Sequence, residues 1–131
     1  MSESIFTKII RGELPCYKVY EDARTFAFLD INPLSDGHIL VVSKSPVDKV
    51  YHLSQADYTA LFATVRKLCD QVEAVLGVRA GIIVEGFDIP HAHVHVVPLY
   101  DAQVMQLHHG YKVDNSPANL AKLAERLRLD D

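Results

Sequence analysis

The chain has 131 residues and a formal net charge of −4, with 13 lysines and arginines against 17 aspartates and glutamates. That length is close to the commonest single-domain size and can bury one core without disulfides or metals, so a single domain over 1–131 is predicted. No stretch clusters Lys and Arg as a phosphate-backbone footprint requires, and no apolar run approaches the roughly 20 residues needed to span a bilayer, which speaks against polynucleotide and membrane partners.

The N-terminus has no basic region followed by an apolar core, so a cytoplasmic location is the default expectation. Ser4 or Ser2 can cap a short helix within 1–12 through Ile5, Ile9 and Ile10, which Gly12 and Pro15 close. Cys16 and Cys69 lie far apart with no CxxC spacing and read as free thiols. Tyr17–Tyr20 and Thr25–Leu29, separated by Glu21-Asp22-Ala23-Arg24, alternate as a hairpin and begin an antiparallel sheet. After the turn-rich Asn32–Gly37, the apolar run His38–Val42 fits a buried strand. Ser54 with Asp57 three residues on resembles a capping box. Leu61, Val65, Leu68, Val72 and Val75 then repeat at helical spacing until Gly77, which predicts one long helix over Ser54–Leu76. Gly81–Glu85 is a further strand. A terminal helix over 116–129 starts at Ser116-Pro117 and carries Leu120, Leu123 and Leu127 as its stripe.

Between those two elements stands Pro90-His91-Ala92-His93-Val94-His95-Val96-Val97-Pro98. If the run is extended, its three imidazoles line one face while Ala92, Val94 and Val96 fill the other. Apolar side chains would pack that face better, and histidine titrates near neutral pH, so the patch reads as a site. Neutral imidazole is a nucleophile. Attack on phosphorus divides one difficult displacement into two easier ones, and His93, flanked by His91 and His95 as hydrogen-bond donors, is placed for it. Structural histidines are the bland alternative, and Zn²⁺ binding is the sharper one because HxH on a strand presents two ligands. No carboxylate or Cys lies within the run to close a metal site, so no metal cofactor is expected. His52 and His108-His109 read as surface histidines.

His91–Val97 resembles the signature of the histidine triad family, His-φ-His-φ-His-φ-φ with φ apolar. Ile5–Pro15 is similar to the family's N-terminal segment, and Phe28–Pro33 through Gly37–Val41 to its nucleotide-loop region, so residues 4 to 100 are covered in order. The resemblance is to the Hint-like nucleotide hydrolase and transferase branch. It implies an α+β fold, a mainly antiparallel sheet of about five strands with one long helix and short terminal helices. It further implies that His93 attacks the α-phosphate of a nucleotide, that His95 contacts the phosphate and leaving-group side, and that His38 sits behind the nucleophile. Asp30 matches the position that accepts the ribose hydroxyls, and Ile5, Phe6, Ile9, Leu14, Phe28 and Ile31 match the apolar positions that sandwich a purine; core packing and a turn role for Asp30 are the alternatives. A homodimer through the long helix and a neighbouring strand is implied, and the family uses the triad without a metal.

The chain departs from the family in three places. Ser4-Ile5-Phe6-Thr7 stands where some bacterial members carry a zinc-binding Cys-x-x-Cys. Gly86-Phe87-Asp88-Ile89-Pro90 is shorter than the usual phosphate loop; Asp88 is a nucleotide-binding candidate there, although it would repel a phosphate if it pointed inward. The tail Gln103–Tyr111 lacks a tryptophan-bearing ending. The expectation is hydrolysis of a nucleoside 5′-phosphoramidate or related nucleotidyl substrate through a nucleotidyl-His93 intermediate. Dinucleoside polyphosphate hydrolysis and non-catalytic purine-nucleotide binding, as a scaffold, are the alternatives.

Overall fold

Helix α1 (Ile5–Ile10) begins where Ser4 Oγ accepts the Thr7 N–H at 3.1 Å. Strands β1 (Lys18–Glu21) and β2 (Thr25–Leu29) form a hairpin whose turn is tied by Asp22: Oδ1 accepts the N–H groups of Arg24 and Thr25 at 2.9 and 2.8 Å. β3 (Ile39–Ser43), α2 (Gln55–Leu76), β4 (Arg79–Ile83), β5 (His93–Leu99) and α3 (Pro117–Leu127) follow. This computed structural model describes residues 3–102 and 114–129. The Ser2 cap, the tail 103–111 and His108-His109 lie outside the described residues.

The five strands form one antiparallel sheet in the order β1-β2-β3-β5-β4, an α+β arrangement. Alternation along the strands sorts side chains to two covered faces. Ala27, Ile39, Val41, Val94 and Val96 meet Leu61, Val65, Leu68 and Val72 of α2. Phe26, Phe28, Leu40 and Val42 meet Phe6 and Ile9 of α1 on the other face. With both faces covered, all five residues of β3 are buried, as its unbroken apolar run requires.

The long helix runs as its spacing predicts, from the Ser54 cap to Gly77, which takes the left-handed conformation at φ 69°. Val75 departs from the stripe and is exposed. Several strand boundaries also differ from the sequence expectation, β1 and β3 each lying one residue later than expected. β4 starts two residues early and stops at Ile83, leaving Val84 and Glu85 outside the ladder. β5 starts at His93 rather than His91 and continues through Pro98. The missing N–H of Pro98 is tolerated because the β3 ladder has ended at Val96. A 3-10 turn over Val50–His52 was not legible, and His52 is exposed. α3 is shorter than 116–129 and buries none of its side chains; Leu120 and Leu127 are exposed. No helix among the described residues is long and apolar enough to cross a membrane.

Candidate active site

In the ladder between β3 and β5, Val42 stands opposite His93 and Leu40 opposite His95, so both imidazoles lie on the face covered by α1. His93 is buried, and its Nδ1 lies 2.6 Å from the His91 carbonyl oxygen. A carbonyl only accepts, so Nδ1 carries the proton and Nε2 keeps its lone pair. The ring is held edge-on by Phe6, 5.1 Å between centroids.

A second chain of contacts fixes His95. The Leu34 N–H donates to His38 Nδ1 at 3.0 Å, so the proton of neutral His38 sits on Nε2. That nitrogen is 3.0 Å from His95 Nδ1, which therefore accepts, and the His95 proton is on Nε2. His95 Nε2 is buried without a hydrogen-bond partner among the described residues; Glu85 Oε1 is near it at 3.4 Å. Burial pushes both imidazoles below their ordinary range. For His38 the neighbouring Asp30 carboxylate opposes the shift and His95 adds to it; for His95 the neighbouring His93 adds and Glu85 opposes. Both rings are thus neutral at pH 7, as the proton order of the relay requires.

His91 is the correction to the sequence expectation. The period-two pattern predicts a third donor on the strand face beside His93. Instead, His91 precedes β5, is 1% exposed, and spends both nitrogens inside the protein. Nε2–H donates to the Ser43 carbonyl at 2.6 Å, so Nδ1 accepts the Ser4 hydroxyl proton at 2.7 Å. Burial lowers its pKa. The hydroxyls of Ser4 and Thr7, at the place of the family's Cys-x-x-Cys, both face this ring. His91 offers a substrate no free donor; its carbonyl orients His93.

The predicted nucleotide residues converge, with the exception of Asp88. Ile5, Phe6, Ile9 and Leu14 from the N-terminal segment line one apolar cavity of about 340 Å³ with Phe28, Asp30 and Ile31. Leu40 and Ile89 join them, two residues missed because each reads as ordinary core or loop. Asp30 lies at the junction with the imidazoles, with Oδ2 3.7 Å from His38 Nε2 and Oδ1 accepting the Asn32 N–H at 2.8 Å. Asp88 is exposed and lines neither this cavity nor the one beside His93. Glu85 was also missed, since the sequence marks it only as the end of a strand; the early stop of β4 frees it to reach His95.

The fold supplies the carboxylates that the histidine run lacks. Glu85, His93 and His95 form one group able to hold a metal ion, and Asp30, His38 and His95 another, each with donor atoms within 4.8 Å. The hydrogen bonds weigh against a ligand role. His38 Nδ1 and His95 Nδ1 are occupied as acceptors and both Nε2 atoms bear protons, so of these imidazoles only His93 presents a lone pair.

Comparison with known proteins shows the family and the fold. A model of the family described as HIT domain matches residues 11–102. The adenosine 5′-monophosphoramidase of Schizosaccharomyces pombe is 38% identical over 97 residues, 72% of each chain. The asymmetrical bis(5′-nucleosyl)-tetraphosphatase of the same organism is 30% identical over 112 residues, 79% of this chain and 61% of that one. A crystal structure of a HIT family member from Bacillus subtilis superposes with a TM-score of 0.81 at 27% identity, covering 99% of both chains.

Proposed function

Because the chain belongs to the HIT domain family, we propose that it is a nucleotide hydrolase cleaving a nucleoside 5′-phosphoramidate through a covalent nucleotidyl intermediate on His93. One observation carries this reading: the 2.6 Å bond from His93 Nδ1 to the His91 carbonyl leaves Nε2 as a free lone pair, and Phe6, whose ring packs against His93, also lines the apolar cavity. The names of the relatives support the nucleotide hydrolase class, since one is a phosphoramidase and one a tetraphosphatase.

The purine stacks in the cavity against Phe6 and Phe28, and Asp30 accepts hydrogen bonds from the ribose hydroxyls. His93 Nε2 attacks the α-phosphorus. The P–N bond breaks towards nitrogen, which takes a proton from water and leaves as the amine. The positive charge on the phosphorylated imidazole is shared through Nδ1–H with the His91 carbonyl. His95 Nε2–H, which has no hydrogen-bond partner among the described residues, donates to a phosphoryl oxygen; because the relay holds this ring neutral, it acts as a donor and not as an acid. Water then attacks phosphorus, the bond to His93 returns its electron pair to Nε2, and the surplus proton passes to solvent. The nucleoside monophosphate is released. No metal ion is needed for these steps. The proposal includes a cytoplasmic purine nucleotide hydrolase acting as a homodimer through α2 and the edge strand β4.

Adenosine 5′-phosphoramidate mixed with the protein and quenched in denaturant within the first turnovers is expected to leave an adenylyl group on the peptide carrying His93, and none on His93→Ala. Equal turnover by both proteins with no adduct would overturn the covalent reading.

A further inference from the structure

His93 also borders a second cavity, of about 300 Å³, which shares no lining residue with the apolar cavity that holds Asp30. Tyr51, Val84 and Phe87 form its walls and are 74%, 47% and 95% exposed, a large amount of apolar surface left to water beside a nucleophile. Glu85 projects into the same space, its carboxylate 3.4 Å from His95 Nε2. The charged groups lining it are Asp48, Glu85 and Lys49, two carboxylates against one ammonium, and the Lys49 Nζ lies over the Tyr51 ring at 6.0 Å.

We infer that this second cavity is the leaving-group subsite, and that Glu85 with the Tyr51 and Phe87 rings selects a primary amine bearing an apolar or aromatic body over an anionic leaving group. The inference rests on the hydrolase reading of His93. Its chemistry follows from the walls. The amine that departs from phosphorus takes a second proton from water to become an ammonium, which a carboxylate attracts and which aromatic faces favour through their quadrupoles. The carbon skeleton behind that nitrogen covers the exposed faces of Phe87, Tyr51 and Val84. Sulfate, or the polyphosphate of a dinucleoside, brings negative charge to Glu85 and Asp48 and gains nothing from the aromatic walls. Such a site discriminates by repelling the wrong partner as well as by attracting the right one. The purine end of the substrate is the same for all these molecules, and the intrinsic reactivity of each bond is the same for every variant, so the change in a rate ratio when a lining residue is altered reports this cavity.

Four substrates sharing the adenylyl group test it: adenosine 5′-phenethylphosphoramidate, the unsubstituted phosphoramidate, adenylyl sulfate and diadenosine tetraphosphate. The phenethyl compound is expected to exceed the unsubstituted one in kcat/KM by about tenfold, the size of effect an apolar pocket gives, and to exceed both anionic compounds by more than that. Tyr51→Ala and Phe87→Ala are expected to remove most of the phenethyl advantage. Glu85→Lys, at a half-exposed position that folding tolerates, is expected to lower the ratio of phenethyl to sulfate turnover by about tenfold or more. A phenethyl-to-sulfate ratio that Glu85→Lys leaves unmoved, or a phenethyl advantage that Tyr51→Ala and Phe87→Ala leave unmoved, would overturn the assignment while the adduct on His93 still forms. No adduct from any of the four would remove the hydrolase reading and this inference with it.

Discussion

His38 Nε2 lies 3.0 Å from His95 Nδ1, and the Leu34 N–H on the far side of His38 fixes which of those two nitrogens bears the proton. His38→Phe keeps the ring volume and removes the donor, so His95 is free to take the other tautomer or a second proton. A fall in kcat of roughly 10- to 100-fold is expected, the usual cost of losing the partner that orients a functional imidazole. KM for the nucleotide should change far less, and the acid limb of the kcat profile should move to higher pH. An unchanged profile would show that the relay does not set the His95 proton.

His91 should separate from His93 in stability measurements. Its ring is fully buried and bonded at both nitrogens, so His91→Ala leaves a cavity and an unpaired Ser43 carbonyl, with Ser4 Oγ keeping only its contacts with Thr7. A loss of about 3 kcal/mol is expected in urea unfolding. His93→Ala should abolish adduct formation at a smaller cost in stability.

Acid should destabilise the protein in two separate windows. The native pKa values of His38, His91 and His95 lie below the ordinary 6.5, chiefly through burial. The unfolded chain therefore binds more protons than the native one just below pH 6.5, and stability falls as pH drops through that window. The urea midpoint is expected to be flat from pH 7 to about pH 8 and to decline below 6.5.

Asp22 governs the lower window. Burial raises its pKa, but the N–H groups of Arg24 and Thr25 with the hydroxyls of Thr25 and Tyr20 outweigh that and hold it down to about 2, against 3.8 for the free side chain. Its stabilisation is present above 3.8 and is lost as pH falls towards 2. Asp22→Asn should cost about 1–2 kcal/mol at neutral pH, after discounting for partial solvation, and the difference from wild type should shrink below pH 3.8.

Gly37 is a position where added volume is not tolerated. It has φ 90°, and a Cβ there would lie 2.9 Å from Leu76 Cδ1 and 3.3 Å from Pro98 Cγ. Gly37→Ala is expected to lower stability by about 2 kcal/mol or more, measured by thermal unfolding, and to displace the end of α2.

The helices and most of the sheet were legible because their signals are local. The Ser54 cap, the 3.6-residue spacing of Leu61, Val65, Leu68 and Val72, and Gly77 act within a few residues of one another. The alternation of His93 and His95 with Val94 and Val96 likewise states which side chains share a face. The N-terminal apolar residues and Asp30 were legible through family resemblance, and the fold gathers them around one cavity.

Other properties of the site depend on contacts between residues far apart in the chain. The pairing of His38 with His95 spans 57 positions, and that of Ser4 with His91 spans 87. Those contacts determine which nitrogen carries each proton, and so make His95 a donor and His91 a structural clamp, although all three imidazoles look alike in sequence. The same holds for Glu85, whose place beside His95 follows from where β4 stops pairing with β5. A residue's identity supplies the groups that can react. Hydrogen-bond partners supplied by distant parts of the chain decide which of those groups is free, because a buried donor or acceptor that finds a partner in the protein is no longer available to a substrate.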